Sequence, residues 1–355
     1  MLRLIYIALS VLAVGTVLSL SVQPGSAAQI HGSQGSEAPI AGSWIIESLP
    51  IADHVELTLS RRDDHHNMSN SSTMPLDQLR GITAAQLQAA PLAHFEIVRE
   101  AGILQCEGYL KGGNGGGTFL FAPSEKFVSE MKALGYDGLS SEMVFSMAVH
   151  DVNTGYIRHL RELGIDHVPT EQLLAMRIHN VEIDFIKELQ SMGFKGLKPE
   201  QLIAMRIHGV TADFVRELKD LHYNPSVEDL IAMRIHGVST GSVKELKSLG
   251  FEPTIEQMIA MWIHGATPEF IKEVKGLGYD HPSIDQLVTM RIHGVTPEFI
   301  KEVKALGYDH PSIDQLVTMR IHGVTPEYIR KTRSLGMGNL AIEQLVSMRN
   351  HGIVE

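Results

Sequence analysis

Apolar residues recur with helical spacing, in units of 28 or 29 residues, through the C-terminal two thirds of the chain. In the unit that begins at Thr296, one apolar stripe indicates a helix that ends at Gly307. A second stripe indicates a helix between Ser312 and Gly323. Each unit carries one methionine followed three residues later by histidine, and these methionines are Met147, Met176, Met205, Met233, Met261, Met290, Met319 and Met348.

A pair of short helices cannot bury its own apolar face, but stacked pairs bury each other's faces. Residues 124–352 are therefore predicted to form an α-solenoid of about eight two-helix repeats. Residues 266–294 and 295–323 differ at only two positions, which indicates recent duplication. The second helix of each repeat is apolar around more of its circumference, so we expect it to be the more buried helix.

Residues 43–123 alternate between apolar and polar side chains with a period of two, which predicts β-strands. The predicted strands cover residues 43–47, 54–60, 94–99, 106–110 and 118–121. We expect a polar excursion at 61–73 and one or two helical turns between Leu76 and Gln88. The predicted class is α+β, with a small antiparallel β domain followed by the α-solenoid.

The N-terminus has the pattern of a signal peptide, predicted at residues 1–28. Arg3 supplies the positive charge, an apolar stretch follows, and Ser26-Ala27-Ala28 forms a small-residue cleavage site. Residues 29–42 are predicted to be a flexible leader. The protein is thus expected to be exported, to a periplasm or beyond, and an uncleaved segment would anchor it to the membrane.

Charge and cysteine content exclude several classes of protein. The net charge is −11 and no segment is strongly basic, which argues against a nucleic-acid partner. The single cysteine, Cys106, excludes a disulfide scaffold and is predicted to be a buried small hydrophobe. Lys111–Gly117 lacks the ending of a phosphate loop and is predicted to be a β-hairpin loop. No catalytic motif is present, and no cofactor or catalytic residue is predicted.

Two rows of side chains recur at the end of the second helices. The arginine row, in which a tryptophan stands once, is Arg177, Arg206, Arg234, Trp262, Arg291 and Arg320. The histidine row is His179, His208, His236, His264, His293 and His322. The arginines are candidate binding residues. The alternative is that each arginine maintains the repeat by reaching an acidic residue of the next helix, as Arg177 can reach Asp184. The histidines either interact favourably with the negative end of the helix dipole at the C-terminus or bind a metal ion.

Trp262 interrupts the arginine row at mid-array. An aromatic side chain flanked by arginines has the composition of an interface hot spot. The alternative is that Trp262 fills a gap beside Gly241, where the acidic residue of the repeat is missing.

The motif Leu-Val-Thr-Met-Arg-Ile-His-Gly-Val-Thr-Pro-Glu-Phe-Ile-Lys-Glu-Val-Lys-Ala-Leu-Gly-Tyr resembles helical repeats of exported bacterial proteins. Similar repeats follow the membrane metallopeptidase domain of some BlaR-type sensor proteins. The resemblance covers residues 90–352 and implies a sensing or interaction module of the bacterial envelope. The peptidase's zinc motif and membrane spans have no counterpart here, so the resemblance implies no proteolytic activity.

Three functions are compatible with this sequence. The first is a non-enzymatic protein-binding or sensing scaffold of the cell envelope, whose partner is an envelope protein. The second is a metal-binding or pH-responsive envelope protein that uses the histidine row. The third is an enzyme centred on the β domain.

Overall fold

The computed structural model describes residues 39–51, 53–62, 67–89 and 91–354. It confirms the α+β class, because a seven-stranded antiparallel sheet is followed by successive helix pairs. The predicted signal peptide, at 1–28, and the predicted leader up to residue 38 lie outside the described residues.

The sheet has the strand order β3-β2-β1-β7-β6-β5-β4, and each neighbouring pair is antiparallel. The strands are β1 (Ala41–Ser48), β2 (His54–Arg62), β3 (Asn67–Pro75), β4 (Leu79–Arg80), β5 (Ala93–Arg99), β6 (Gly102–Lys111) and β7 (Asn114–Pro123). A 3₁₀ turn, Leu76–Gln78, and helix α1, Ala84–Ala89, supply the helical turns predicted between Leu76 and Gln88.

Two boundaries differ from the prediction. Strand β1 begins at Ala41, so the last residues of the predicted leader belong to the sheet. The polar stretch predicted as an excursion contains strand β3. This strand lies at the edge of the sheet, and among its described side chains only Met74 is buried. An edge strand that buries so little has no apolar alternation from which to predict it.

Glycines make room for Trp44, the largest side chain in the core of the sheet. A Cβ at Gly108 would lie 2.6 Å from the Trp44 ring, and a Cβ at Gly117 would lie 2.7 Å from the Gly108 Cα. Gly112 and Gly113 form the turn between β6 and β7, both at positive φ. The glycine-rich segment is therefore a hairpin, as predicted.

The repeat region consists of sixteen helices within residues 124–354, all of which the structure describes, and it contains no strand. The first helices of the repeats are α2 (Glu125–Ala133), α4 (Thr154–Glu162), α6 (Ile183–Ser191), α8 (Ala212–Asp220), α10 (Thr240–Ser248), α12 (Pro268–Gly276), α14 (Pro297–Ala305) and α16 (Pro326–Ser334). The second helices are α3 (Ser141–Val149), α5 (Thr170–Ile178), α7 (Pro199–Ile207), α9 (Val227–Ile235), α11 (Ile255–His264), α13 (Ile284–Ile292), α15 (Ile313–Ile321) and α17 (Ile342–Asn350). This solenoid-like tandem repeat confirms the predicted architecture.

The described chain divides into two compact units. One contains the sheet and the repeats up to Ile203, and the other contains the repeats from Ala204 onward. Within the second unit, first helices pack against first helices and second helices against second helices, and buried residues from Leu246 to Leu345 form one apolar core.

The second helix is not the more buried member of each repeat. In the repeat of α12 and α13, the first helix buries Pro268, Phe270, Ile271 and Val274, whereas the second buries only Leu287 and Met290. In the next repeat, α14 and α15 each bury four residues. The expectation of a more buried second helix is therefore wrong as a rule for the array. Part of the extra apolar surface of the second helices faces solvent.

Within the first unit, the sheet covers the start of the helical array. The Phe145 ring of α3 lies 5.7 Å from the Phe119 ring and 5.3 Å from the Phe121 ring, centre to centre. The carboxylate of Glu100 accepts hydrogen bonds from the backbone N–H and the hydroxyl of Thr154, each at 2.7 Å, at the start of α4. The sheet thus buries apolar surface that a first repeat would otherwise expose.

Candidate functional site

The arginines of the arginine row pack against aromatic rings of the same repeat. The Cζ atom lies 5.2 Å from the Tyr156 ring centre for Arg177, and 5.2 Å from the Phe214 ring centre for Arg234. The corresponding distances are 5.0 Å for Arg291 over Phe270 and 5.1 Å for Arg320 over Phe299. Each contact is a cation–π interaction between a second helix and a first helix of the array.

Three of these arginines, Arg177, Arg291 and Arg320, also reach the end of a neighbouring second helix, whereas the buried Nε of Arg234 has no hydrogen-bond partner among the described residues. The Nε of Arg177 donates to the carbonyl oxygen of His150, at 3.4 Å. Arg291 and Arg320 donate in the same way to His264 and His293, at 3.3 and 3.4 Å. Each of these guanidinium groups therefore satisfies a carbonyl at the end of the preceding second helix and holds three helices together.

This geometry gives the arginine row a structural role. The predicted partner of Arg177, Asp184, instead forms an ion pair with Lys187 at 3.7 Å. Arg177 forms ion pairs with Asp151 and Glu182, at 3.4 and 3.1 Å. Arg206, which begins the second unit's share of the row, is half-buried on α7.

The repeat that contains Trp262 lacks the cation–π pair of arginine and aromatic ring seen in other repeats. It is partly buried and packs against the core of the second unit. In the other repeats the aromatic partner is the third residue after the N-cap, as Phe214 is after Thr211. The residue at that position of α10 is Ser242, after the N-cap Ser239. Trp262 thus replaces an arginine in the one repeat of the second unit that also lacks the ring. The predicted gap beside Gly241 is open space apart from the Ser239 hydroxyl, which would lie 3.7 Å from a Cβ at this glycine.

The histidine row lies at the C-terminal ends of the second helices, as predicted. Most of these histidines are the C-cap residues themselves, including His179, His236 and His293. In the part of the chain that the structure describes, no three His, Cys, Asp or Glu side chains converge as metal ligands. His322 Nδ1 lies 2.8 Å from Asn350 Oδ1 of the next repeat, so its ring contacts a neighbouring second helix.

A third row of side chains is exposed along its whole length, and the sequence pattern does not distinguish it from the core. It consists of the isoleucine between each row arginine or tryptophan and its histidine. The members of this isoleucine row are 40–54% exposed, and they are Ile178, Ile207, Ile235, Ile263, Ile292 and Ile321. The sequence pattern places this isoleucine on the apolar surface of the second helix, and only the orientation of the helix shows that the position faces solvent.

The isoleucine row ends where the array ends. The last repeat has Asn350 at this position, where the preceding repeats have isoleucine. In the first repeat the residue is Val149, which is partly buried in the unit that holds the sheet. The six repeats between these two carry the exposed isoleucine.

The described part of the β domain has few ionisable or reactive side chains close to one another. A depression of about 140 Å³ at one end of the sheet is lined by ten residues, of which only Asp53 and His54 have ionisable side chains. His94 and Glu107 approach to 3.5 Å, but both are exposed, on neighbouring strands. Cys106 is buried, as predicted, and burial raises the pKa of its thiol to about 12. At neutral pH it is therefore a protonated core residue.

Comparison with protein-family models, with curated proteins and with solved structures finds no match to this chain. Within the described residues, none of the helices combines the length and apolar character needed to cross a membrane.

Proposed function

We propose that this protein is a non-enzymatic protein-binding scaffold of the bacterial cell envelope, and that its partner docks on the second helices. The observation that carries the proposal is the isoleucine row. A single exposed isoleucine is ordinary, but an exposed isoleucine at the same position of five successive repeats of the second unit forms an apolar row. Within the second unit alone it comprises Ile207, Ile235, Ile263, Ile292 and Ile321.

The row has no evident role in stability. Methionine and leucine side chains on the opposite side of the second helices, such as Met290 and Leu287, are fully buried and form the core. The arginine row and the capping glycines connect the repeats. The isoleucines lie outside both arrangements, and repeat proteins use extended surfaces of this kind to bind partners.

The location in the envelope rests on the sequence. The N-terminal apolar segment supports export, and the resemblance to the repeats of BlaR-type sensors supports a sensing or interaction role. Fractionation of cells, followed by detection of the protein with an antibody, tests the location. Recovery from the cytoplasm with an intact N-terminus would contradict it.

Binding is tested by affinity capture from envelope extract with the full chain. The test variant carries Ile263→Gln and Ile292→Gln, which remove two members of the isoleucine row. The matched control carries Leu335→Gln and Ile353→Gln, two exposed apolar residues outside the row, with exposed fractions of 57% and 46%. We expect the test variant to lose a partner that the control retains, with unchanged circular dichroism. Retention by both variants would contradict the proposed surface.

A further inference from the structure

The outer face of the second helices carries three parallel rows of residues. In α15, Asp314, Thr318 and Ile321 are spaced i, i+4 and i+7, which places them on one face of the helix. The carboxylate is two turns, about 10 Å, from the isoleucine. The same order recurs in α9, α11 and α13 of the second unit, with small residues in the middle row. The acidic row, which is exposed, is Glu228, Glu256, Asp285 and Asp314, and continues to Glu343 in α17.

Neutral groups hold part of this acidic row in place. The amide of Gln257 donates to Asp285 of the next repeat at 3.5 Å, and the amide of Gln315 donates to Glu343 at 2.8 Å. The hydrogen bond from Gln315 lowers the pKa of Glu343, so it remains ionised at neutral pH. These bonds orient the carboxylates without neutralising their charge.

The first-helix face has a different charge pattern. There, carboxylates pair with cations of the next repeat, as Glu217 does with Lys244 at 2.8 Å and Glu302 does with Arg330 at 2.9 Å. Glu245 pairs with Lys272 in the same way. On the first-helix face these three carboxylates thus pair with cations of the next repeat, whereas Asp285 and Glu343 on the second-helix face accept hydrogen bonds from neutral amides.

We propose that the partner of this surface is an extended cationic segment of polypeptide, with aliphatic side chains on the isoleucine row and Lys or Arg side chains opposite the acidic row. This inference rests on the proposed function and adds the chemistry of the partner. The small middle row, which includes Ala232, Ala260 and Thr289, leaves space for a backbone to approach. Packed helices lie about 8–10 Å apart, and every third residue of a polyproline II chain advances about 9 Å. An aliphatic residue at every third position therefore meets one repeat after another.

The probe is a labelled synthetic peptide with four copies of Leu-Pro-Lys, titrated with the full chain and followed by fluorescence anisotropy. Two comparison peptides carry four copies of Leu-Pro-Glu and of Ser-Pro-Lys. We expect only Leu-Pro-Lys to bind well, and we expect its affinity to fall as salt is added, because salt screens exposed charges. Equal binding of the Ser-Pro-Lys peptide would mean that attraction to a protein of net charge −11 is sufficient, and would overturn the proposal.

The acidic row is tested by Glu256→Gln, Asp285→Asn and Asp314→Asn in one variant. Its matched control, Glu269→Gln, Glu298→Gln and Glu327→Gln, makes the same change in net charge on exposed positions of the first helices. We expect roughly a tenfold loss of peptide affinity in the first variant only. Equal losses in both would overturn the acidic row as the docking site. If no peptide binds while the envelope partner is still lost with Ile263→Gln and Ile292→Gln, the cationic partner is wrong and the proposed function stands.

Discussion

The guanidinium group of Arg320 lies 5.1 Å from the centre of the Phe299 ring, in a first helix of the array. The same side chain donates from Nε to the carbonyl oxygen of His293, at the end of the preceding second helix. One residue thereby connects both helices of its repeat to the previous repeat. The contact between guanidinium and ring recurs at Arg177, Arg234 and Arg291, which explains why arginine returns at the same position along the array.

Trp262 and Ser242 stand where other repeats have an arginine and an aromatic residue. We therefore expect substitutions at these two positions to have coupled effects on stability. Trp262→Arg alone should destabilise the protein, because the new guanidinium finds Ser242 in place of a ring. Ser242→Phe added to it should recover stability, with a coupling energy of about 0.5–1 kcal/mol. Urea unfolding of the two single variants and the double variant measures this energy. A coupling energy of zero would show that the two positions vary independently.

Replacing the glycines that end the helices by alanine should reduce the free energy of unfolding by an amount that depends on the position. Gly294 and Gly307 both have positive φ, but a Cβ at Gly294 would lie 2.9 Å from Arg320 Nη2, whereas the space at Gly307 is open within 4 Å. Gly307→Ala should cost about 1 kcal/mol from backbone strain. Gly294→Ala should cost more in a urea titration, because it also displaces the guanidinium from its ring.

Asparagine provides the matched control at Gly294. Asn180 and Asp151 occupy the equivalent position in two repeats, at φ of 54° and 53°. Asparagine tolerates the left-handed conformation better than alanine does. Gly294→Asn should therefore be more stable than Gly294→Ala in the same urea titration. The reverse order would contradict this account of the helix ends.

The helical part of the fold could be predicted almost completely from the sequence. Caps such as Thr296 and stops such as Gly307 set helix boundaries locally, and the repeat supplied eight comparisons of each boundary. Strand β3 could not be predicted, because an edge strand of serine, asparagine and threonine carries no apolar pattern.

The candidate site was predicted less well, for a geometric reason. Recurring arginines and histidines indicate candidate binding residues. An isoleucine on an amphipathic helix, such as Ile321, instead indicates a buried position. The hydrophobic pattern of α15 is broad enough to allow several orientations, and the packing of Leu316 and Met319 selects the one that exposes Ile321. A polar residue, Asn350, in the terminal repeat was the one signal in the sequence that this position faces solvent.

Because Glu100 contacts the start of α4, we expect substitution of Glu100 to reduce the free energy of unfolding strongly. Glu100→Ala removes the acceptor of two hydrogen bonds from Thr154, which is 2% exposed. A loss of about 1–3 kcal/mol in the free energy of unfolding is expected, because buried donors lose a charged partner. Glu96→Ala, which removes an ion pair with Arg80 at the surface, is the control and should cost less than about 0.5 kcal/mol. Equal costs would show that the hydrogen bonds to Glu100 do not stabilise the start of the helix.

His150 predicts an acid-sensitive contribution to stability. Burial lowers the pKa of His150, and the positive charge of Arg177 lowers it further. On acidification below about pH 6.5 the unfolded chain therefore takes up a proton before the folded one does, and stability falls. His150→Gln should flatten the dependence of the melting temperature on pH between about 7 and 5. An unchanged slope of melting temperature against pH would mean that groups other than His150 cause the loss of stability in acid.

The central claim, that a protein partner docks on the second-helix face, is tested most directly by site-specific photo-crosslinking. A photoreactive phenylalanine analogue replaces Ile263 on the second-helix face or Lys272 on the first-helix face, in the full chain. After irradiation in envelope extract, the account predicts one crosslinked protein from position 263 and none from position 272. Crosslinking of that protein from position 272 and not from position 263 would contradict it.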